Sequence, residues 1–122
     1  MCGIVGIFAL ERERPVDPAL VREMADRIAH RGPDGEGVRS GPGYAIGQRR
    51  LAIVDLAGGA QPMALADERL WVTFNGEIYN YLDLRAELEA KGCVFRTNSD
   101  TEVLLHGYRA WGTDLASHLR GM

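Results

Sequence analysis

A membrane-spanning run is the first thing the 122 residues lack. The longest apolar stretch, Ile4 to Leu10, is broken by Gly6 and falls far short of the ~20 residues that a bilayer core demands. A basic start and a small-residue cleavage site are also missing, so no secretory leader is read and a cytoplasmic location is expected, without a membrane partner. Cysteine is scarce: Cys2 and Cys93 are the two present, and they have no C-x-x-C spacing. His30, His106 and His118 form no ligand pattern, so no metal site is expected and the cysteines read as free thiols of a reducing compartment. Nor is there an excess of positive charge. The net charge is −3, the basic residues are scattered, and "ERERP" at 11–15 mixes signs, which argues against a nucleic-acid partner. With no repeat, low-complexity tract or linker, one domain is expected.

Apolar residues at 46% and charged residues at 25% suit a globular chain with a packed core. "CGIVGIFAL" at 2–10 reads as a buried strand. A helix is predicted over 17–30: Asp17 is an N-cap, Pro18 suits the first turn, and Leu20, Met24 and Ile28 recur on one face. Gly32-Pro33 stops it, and "RGPDGEG" reads as loop throughout. "VRSGPGYAIG" predicts two strands around Gly41-Pro42-Gly43, and "GGAQPM" at 58–63 a turn or irregular loop. "LWVTFNG" alternates as a strand, with Leu70, Val72 and Phe74 on one side and Trp71, Thr73 and Asn75 on the other. A second helix is predicted from about 81 to 91, with Asn80 as N-cap, a Glu87–Lys91 pair and Gly92 as stop. "CVFRT" predicts a short strand, and Ser99 with Glu102 has capping-box spacing before a third helix. Mixed strands and helices imply an α+β fold with few βαβ units. The ending "LRGM" closes no element, so the chain reads as a piece of something longer.

Chemistry gathers at a few positions. Cys2 taken alone reads as a small hydrophobe beside a strand. If Met1 is removed, however, a thiol and a free amine share one residue, a nucleophile beside a base. In "FNGEIYNY", Asn75 carries side-chain N–H donors and Gly76 lets a ligand reach its backbone N–H, a pairing that suits an oxyanion hole. The same Asn-Gly also reads as a plain turn. Arg50 enters an apolar segment, where a guanidinium needs an anion, while Glu77 and Asp100 offer carboxylates to an ammonium. Each also reads as a surface ion pair or, for Asp100, as helix-end charge. Together they match a zwitterion.

The blocks "MCGIVGIF", "RGPDGEG", "RRLAIVD", "GAQPM", "FNGEIYNY" and "TNSDTEVLLHGY" stand in the order and spacing of the class II glutamine amidotransferases. The chain resembles these N-terminal-nucleophile glutaminases almost end to end, and "RGPD" with "NGEIYN" resembles their asparagine synthetase branch. The resemblance implies that Cys2 attacks the side-chain amide carbon of L-glutamine, with its own α-amine as general base. That amine titrates near ~7.7–8.0 before any tuning. It further implies Asn75 and Gly76 as oxyanion hole, Arg50 on the substrate α-carboxylate, and Glu77 and Asp100 near the α-amine. Ile53 and Val54 would supply mainly backbone contacts. Residues "RGPDGEG" would be a structural loop near the site, and Cys93 would only pack.

The implied fold is a four-layer α/β/β/α sandwich of antiparallel sheets, incomplete here. Residues 1–122 would be the N-terminal part of the glutaminase domain, without its later strands, the ammonia tunnel or the synthetase domain. No cofactor is expected in this part; ATP and Mg2+ would serve only the synthetase domain, the implied partner within the full-length chain. While Met1 stays attached, Cys2 has no free amine. Two alternatives stay open: the same glutaminase serving another acceptor, or a non-catalytic fragment that folds only with a partner or as a homodimer, because unpaired sheet edges invite pairing.

Overall fold

Proline at position 18 cannot donate a backbone hydrogen bond and so fits the first turn of a helix, behind the capping carboxylate of Asp17. The computed structural model describes residues 2–11, 13–51 and 58–122. Here α1 spans Pro18–Arg27, with Ala19 N donating to Asp17 Oδ1 at 2.8 Å. The buried stripe of α1 is Val21 and Ala25, one position along from the expected one, and Leu20 is half exposed. A 3-10 turn, Ala29–Arg31, ends the helical stretch before Gly32.

The described residues fall into two compact units. The first holds the described residues up to Leu51, together with 60–62 and 73–75. Its sheet is antiparallel, in the order β1-β3-β2, from β1 (Gly3–Phe8), β2 (Gly35–Gly41) and β3 (Tyr44–Arg50). The β2–β3 hairpin turns at Pro42-Gly43 as the sequence predicts. However, β2 begins at Gly35, so the second half of "RGPDGEG" is strand. The expectation of a buried first strand also fails. β1 is an edge strand, and Ile4 and Phe8 are 49% and 71% exposed.

Alternation along β3 explains why the central strand is the buried one. Gly47 and Arg49 face α1: a Cβ on Gly47 would lie 3.2 Å from Val21 Cγ1, and Arg49 Nε donates to Ala25 O at 3.2 Å. The Arg49 guanidinium also pairs with Asp26 of α1 and Glu36 of β2, tying helix to sheet. Ile46, Gln48 and Arg50 face the other way. That side is covered by residues 60–62 and 73–75, where Gln48 Nε2 donates to Phe74 O at 2.8 Å.

The second unit includes residues 63–72 and 76–122. A two-stranded antiparallel ladder, β4 (Met63–Ala64) with β5 (Trp71–Val72), is all that forms of the longer strand predicted over "LWVTFNG". Met63 and Leu65 bury against Leu105 of α3 (Thr101–Trp111), with Leu70 and Val72 alongside. Helix α2 (Tyr81–Ala90) packs on α3 through an interior that includes the fully buried Leu88 and Val103. Each such side chain contributes about 1.5–3 kcal/mol over an exposed one. Lys91 Nζ meets Glu87 at 2.8 Å, the pair predicted from the sequence. A 3-10 turn and a short α4 (Leu115–His118) follow α3. No helix among the described residues is long and apolar enough to cross a membrane.

Three local expectations are corrected by the bonds these residues make. Asn80 stands at the N-cap of α2 but does not cap it; its side chain bonds His118 O and Arg120 N, both at 2.9 Å. "CVFRT" is not a strand. The amides of Arg96 and Thr97 are taken by the Glu102 carboxylate, and Arg85 reaches Thr97 O. For the same reason Glu102 does not close a box onto Ser99, whose hydroxyl instead accepts from Thr101 N. The sheets and helices make an α+β structure with antiparallel pairing throughout the named strands.

Candidate active site

Strand register sets the first part of the site. Gly3 opens β1 opposite Arg49, so Cys2 sits just ahead of the strand, next to the end of β3. The Cys2 sulfur accepts from Leu51 N at 3.3 Å and donates to Leu51 O at 3.5 Å, so the backbone just after Arg50 fixes the thiol. Arg31 Nε donates to Cys2 O at 3.2 Å and holds the same residue from its carbonyl side. Cys2 is partly exposed and therefore reachable, as a nucleophile must be. Arg50 O accepts from Asp34 N at 3.0 Å, which fastens "RGPDGEG" to the end of β3.

Asn75 reaches this unit through Phe74. Gln48 Nε2 donates to Phe74 O, and Phe74 N donates to Gln61 Oε1 at 2.6 Å. Both backbone groups of the residue before Asn75 are therefore held by side chains. Neither glutamine stood out in the sequence. The available signal was an amide at 48 in register with the apolar Ile46, two residues away on the same face of a strand.

The second unit carries Gly76, Glu77 and Asp100. Glu77 is braced through its backbone: Glu77 N donates to Met122 O at 2.9 Å, and Met122 N returns to Glu77 O at 3.0 Å. Gly121 makes that pairing sterically feasible, because a Cβ there would fall 1.9 Å from Glu77 O. Asp100 is buried at 7% exposure, and its Oδ2 accepts from Ile78 N at 2.9 Å. It precedes α3 without capping its backbone, and its Oδ1 accepts from the Thr101 hydroxyl at 3.5 Å. Ile53 and Val54 lie outside the described residues.

Glu102 holds the loop that leads to Asp100. Its carboxylate accepts from Arg96 N at 2.9 Å, Thr97 N at 2.8 Å and Thr97 Oγ1 at 2.6 Å, and His106 Nε2 stands 3.5 Å away. Burial alone raises its pKa and is the largest single influence. The Thr97 hydroxyl, the two backbone donors and His106 together outweigh it and hold the carboxyl below its usual 4.5. A lowered folded pKa means stability present above the unfolded value and lost as pH falls through the folded one. Glu102→Ala leaves these donors without their acceptor and is expected to cost about 3 kcal/mol near neutral pH. Hydrogen exchange of the Arg96 and Thr97 amides checks this: exchange should quicken in the variant, and the gap from wild type should narrow on acidification below about 4.5. Among the described residues, no three His, Cys, Asp or Glu side chains come together as a metal site.

Cys2 is held by the backbone that follows Arg50, and comparison with known proteins gives the chain a family. The chain belongs to the glutamine amidotransferase domain family, whose model matches residues 1–122. It is similar to glutamine-hydrolyzing asparagine synthetase 1 of Bacillus subtilis (strain 168), at 48% identity over 127 residues, covering all of this chain and 20% of that protein. It is also similar to glutamine-hydrolyzing asparagine synthetase 1 of Arabidopsis thaliana, at 38% identity over 122 residues with the same coverage. The chain thus spans about one fifth of the length of these relatives, which are enzymes by their names.

Proposed function

We propose that this chain is the glutaminase part of an amidotransferase that hydrolyses L-glutamine and passes ammonia to asparagine synthesis. One observation carries the reading: within a span matched end to end by the family, the second residue is a cysteine whose sulfur is fixed by the Leu51 backbone, one residue after Arg50. In the proposed reaction, removal of Met1 frees the Cys2 amine. That amine takes the thiol proton as sulfur attacks the carboxamide carbon, and hands the proton to the departing nitrogen. Ammonia leaves and a thioester remains. Water, deprotonated by the same amine, then attacks the thioester; the proton returns to sulfur and glutamate is released.

Charge on the carbonyl oxygen during both attacks is met by the Asn75 side-chain amide and the Gly76 N–H, each worth about 3–4 kcal/mol in sites of this kind. Arg50 grips the α-carboxylate as a fork. Glu77 and Asp100 face the α-ammonium, with Asp100 held in place by Ile78 N on Oδ2 and the Thr101 hydroxyl on Oδ1. Ile53 and Val54 add backbone contacts. In this reading the two antiparallel sheets belong to a four-layer α/β/β/α sandwich, and the protein works in the cytoplasm. ATP and Mg2+ belong to the synthetase domain of the full-length protein, where they activate the acceptor.

A glutamine analogue with an electrophilic ketone in place of the amide tests the assignment. Incubated with the processed full-length protein, it should label the peptide that begins at Cys2, and excess glutamine should protect. A label on Cys93, or none, rejects the reading.

A further inference from the structure

A buried glutamine that leaves half of its amide unpaired needs a reason, because burying an unpaired polar atom destabilises a fold. Gln48 is 1% exposed, and its Oε1 has no hydrogen-bond partner among the described residues. An apolar residue would fill this position on β3 without that cost. What the amide does provide is one donor, Nε2, 2.8 Å from Phe74 O. On the other side of the same residue, Phe74 N donates to Gln61 Oε1 at 2.6 Å. A backbone carbonyl only accepts and a backbone N–H only donates, so Phe74 itself fixes which end of each amide faces it. Two successive peptide units are held, and with them the φ and ψ of Phe74, which set where Asn75 begins.

Gly37 explains how Gln61 reaches this place. On β2 it lies opposite Gln48 in the ladder, so both occupy the same face of the sheet. A Cβ at Gly37 would fall 2.0 Å from Gln61 O and 3.0 Å from Pro62 Cδ. The missing side chain lets the "GAQPM" loop lie on the sheet next to Gln48. "RGPDGEG" and "GAQPM", which had no chemical task in the proposed reaction, thereby acquire one.

We infer that Gln48 and Gln61 are positioning residues: they clamp the backbone of Phe74 from opposite sides so that the Asn75 side chain is pre-set for the oxyanion. The inference rests on the proposed role of Asn75. A preorganised donor stabilises the transition state more than bound substrate, so loosening the clamp lowers kcat and spares KM. Because one glutamine donates and the other accepts, Gln→Glu has opposite consequences at the two positions. At 61 a carboxylate still accepts from Phe74 N. At 48 it sets oxygen against the oxygen of Phe74.

The test measures glutamine hydrolysis by the full-length protein. Gln61→Met and Gln48→Met should each lower kcat about tenfold, with KM within about twofold of wild type. Gln61→Glu should recover to within about threefold of wild type, whereas Gln48→Glu should fall below Gln48→Met, to about a hundredfold loss. Melting temperature should fall only modestly in Gln48→Met, because losing the unpaired oxygen partly offsets leaving Phe74 O without its donor. If the Met variants do not fold, the ranking of Gln61→Glu above Gln48→Glu decides. Equal ranking of the two Glu variants, or kcat near wild type in Gln48→Met, overturns the clamp. Asn75→Ala in the same assay separates the two levels. A slow Asn75→Ala beside unaffected glutamine variants sinks the clamp alone, whereas an Asn75→Ala at full speed sinks the role of Asn75 and the clamp with it.

Discussion

Replacing Cys2 by serine in the full-length protein is expected to lower glutamine-dependent product formation about 10⁴-fold or more, while formation fed by free ammonia stays near wild type. The first half follows from nucleophile chemistry. A thiol gives up its proton far more readily than a hydroxyl and is intrinsically more nucleophilic, so the amine that activates sulfur activates a serine much less. Serine keeps the terminal amine, the size of the side chain and the β1 backbone, so the loss reports on sulfur and not on folding. The second half follows from the proposed division of labour. If ammonia made at Cys2 is consumed by another domain, ammonia added from outside bypasses the lost step. Steady-state rates with each nitrogen donor check both halves. Equal loss with both donors would mean that the substitution damages more than the glutaminase, and no loss with glutamine would remove Cys2 from the reaction.

Keeping the amine blocked while leaving the thiol untouched should be almost as damaging. An uncleaved extension ahead of Cys2, or retention of Met1, turns the proposed base into an amide nitrogen with no available lone pair. General-base assistance of this kind is worth about 10²–10⁴-fold, and that is the expected loss in kcat for glutamine. Binding should persist, because Arg50, Glu77 and Asp100 are unchanged, so the Kd for glutamine should stay near that of the processed protein. Intact mass establishes which form is present: the active preparation should be lighter by one methionine. An extended protein that hydrolyses glutamine at full speed would show that some other group takes the proton.

Signals carried by neighbouring residues were legible without a structure. Asp17-Pro18 opens α1, Pro42-Gly43 turns the β2–β3 hairpin, Gly92 follows α2, and Glu87 finds Lys91 one turn away. Each depends on contacts within a few residues, which the spacing alone specifies. Signals that depended on distant partners were misread. The apolar "CGIVGIFAL" looked buried, but burial is decided by what covers a face, and β1 lies at the sheet edge. "CVFRT" reads as a strand, but Glu102 claims its amides from the first turn of α3.

The site divides in the same way. The groups that the proposed amide hydrolysis would use, and the order in which they occur, are written in the chain: a thiol at position 2, a guanidinium at 50, amide donors at 75–76, carboxylates at 77 and 100. Chemistry of this kind is a property of side chains, and side chains are given by sequence. Which backbone holds each group was decided only by tertiary structure. Leu51 steadies the sulfur, Ile78 takes half of Asp100, and two glutamines from separate segments meet across Gly37 to grip Phe74. Those contacts join residues between 13 and 49 positions apart, and no local pattern encodes them, because the backbone groups they engage are the same in every residue.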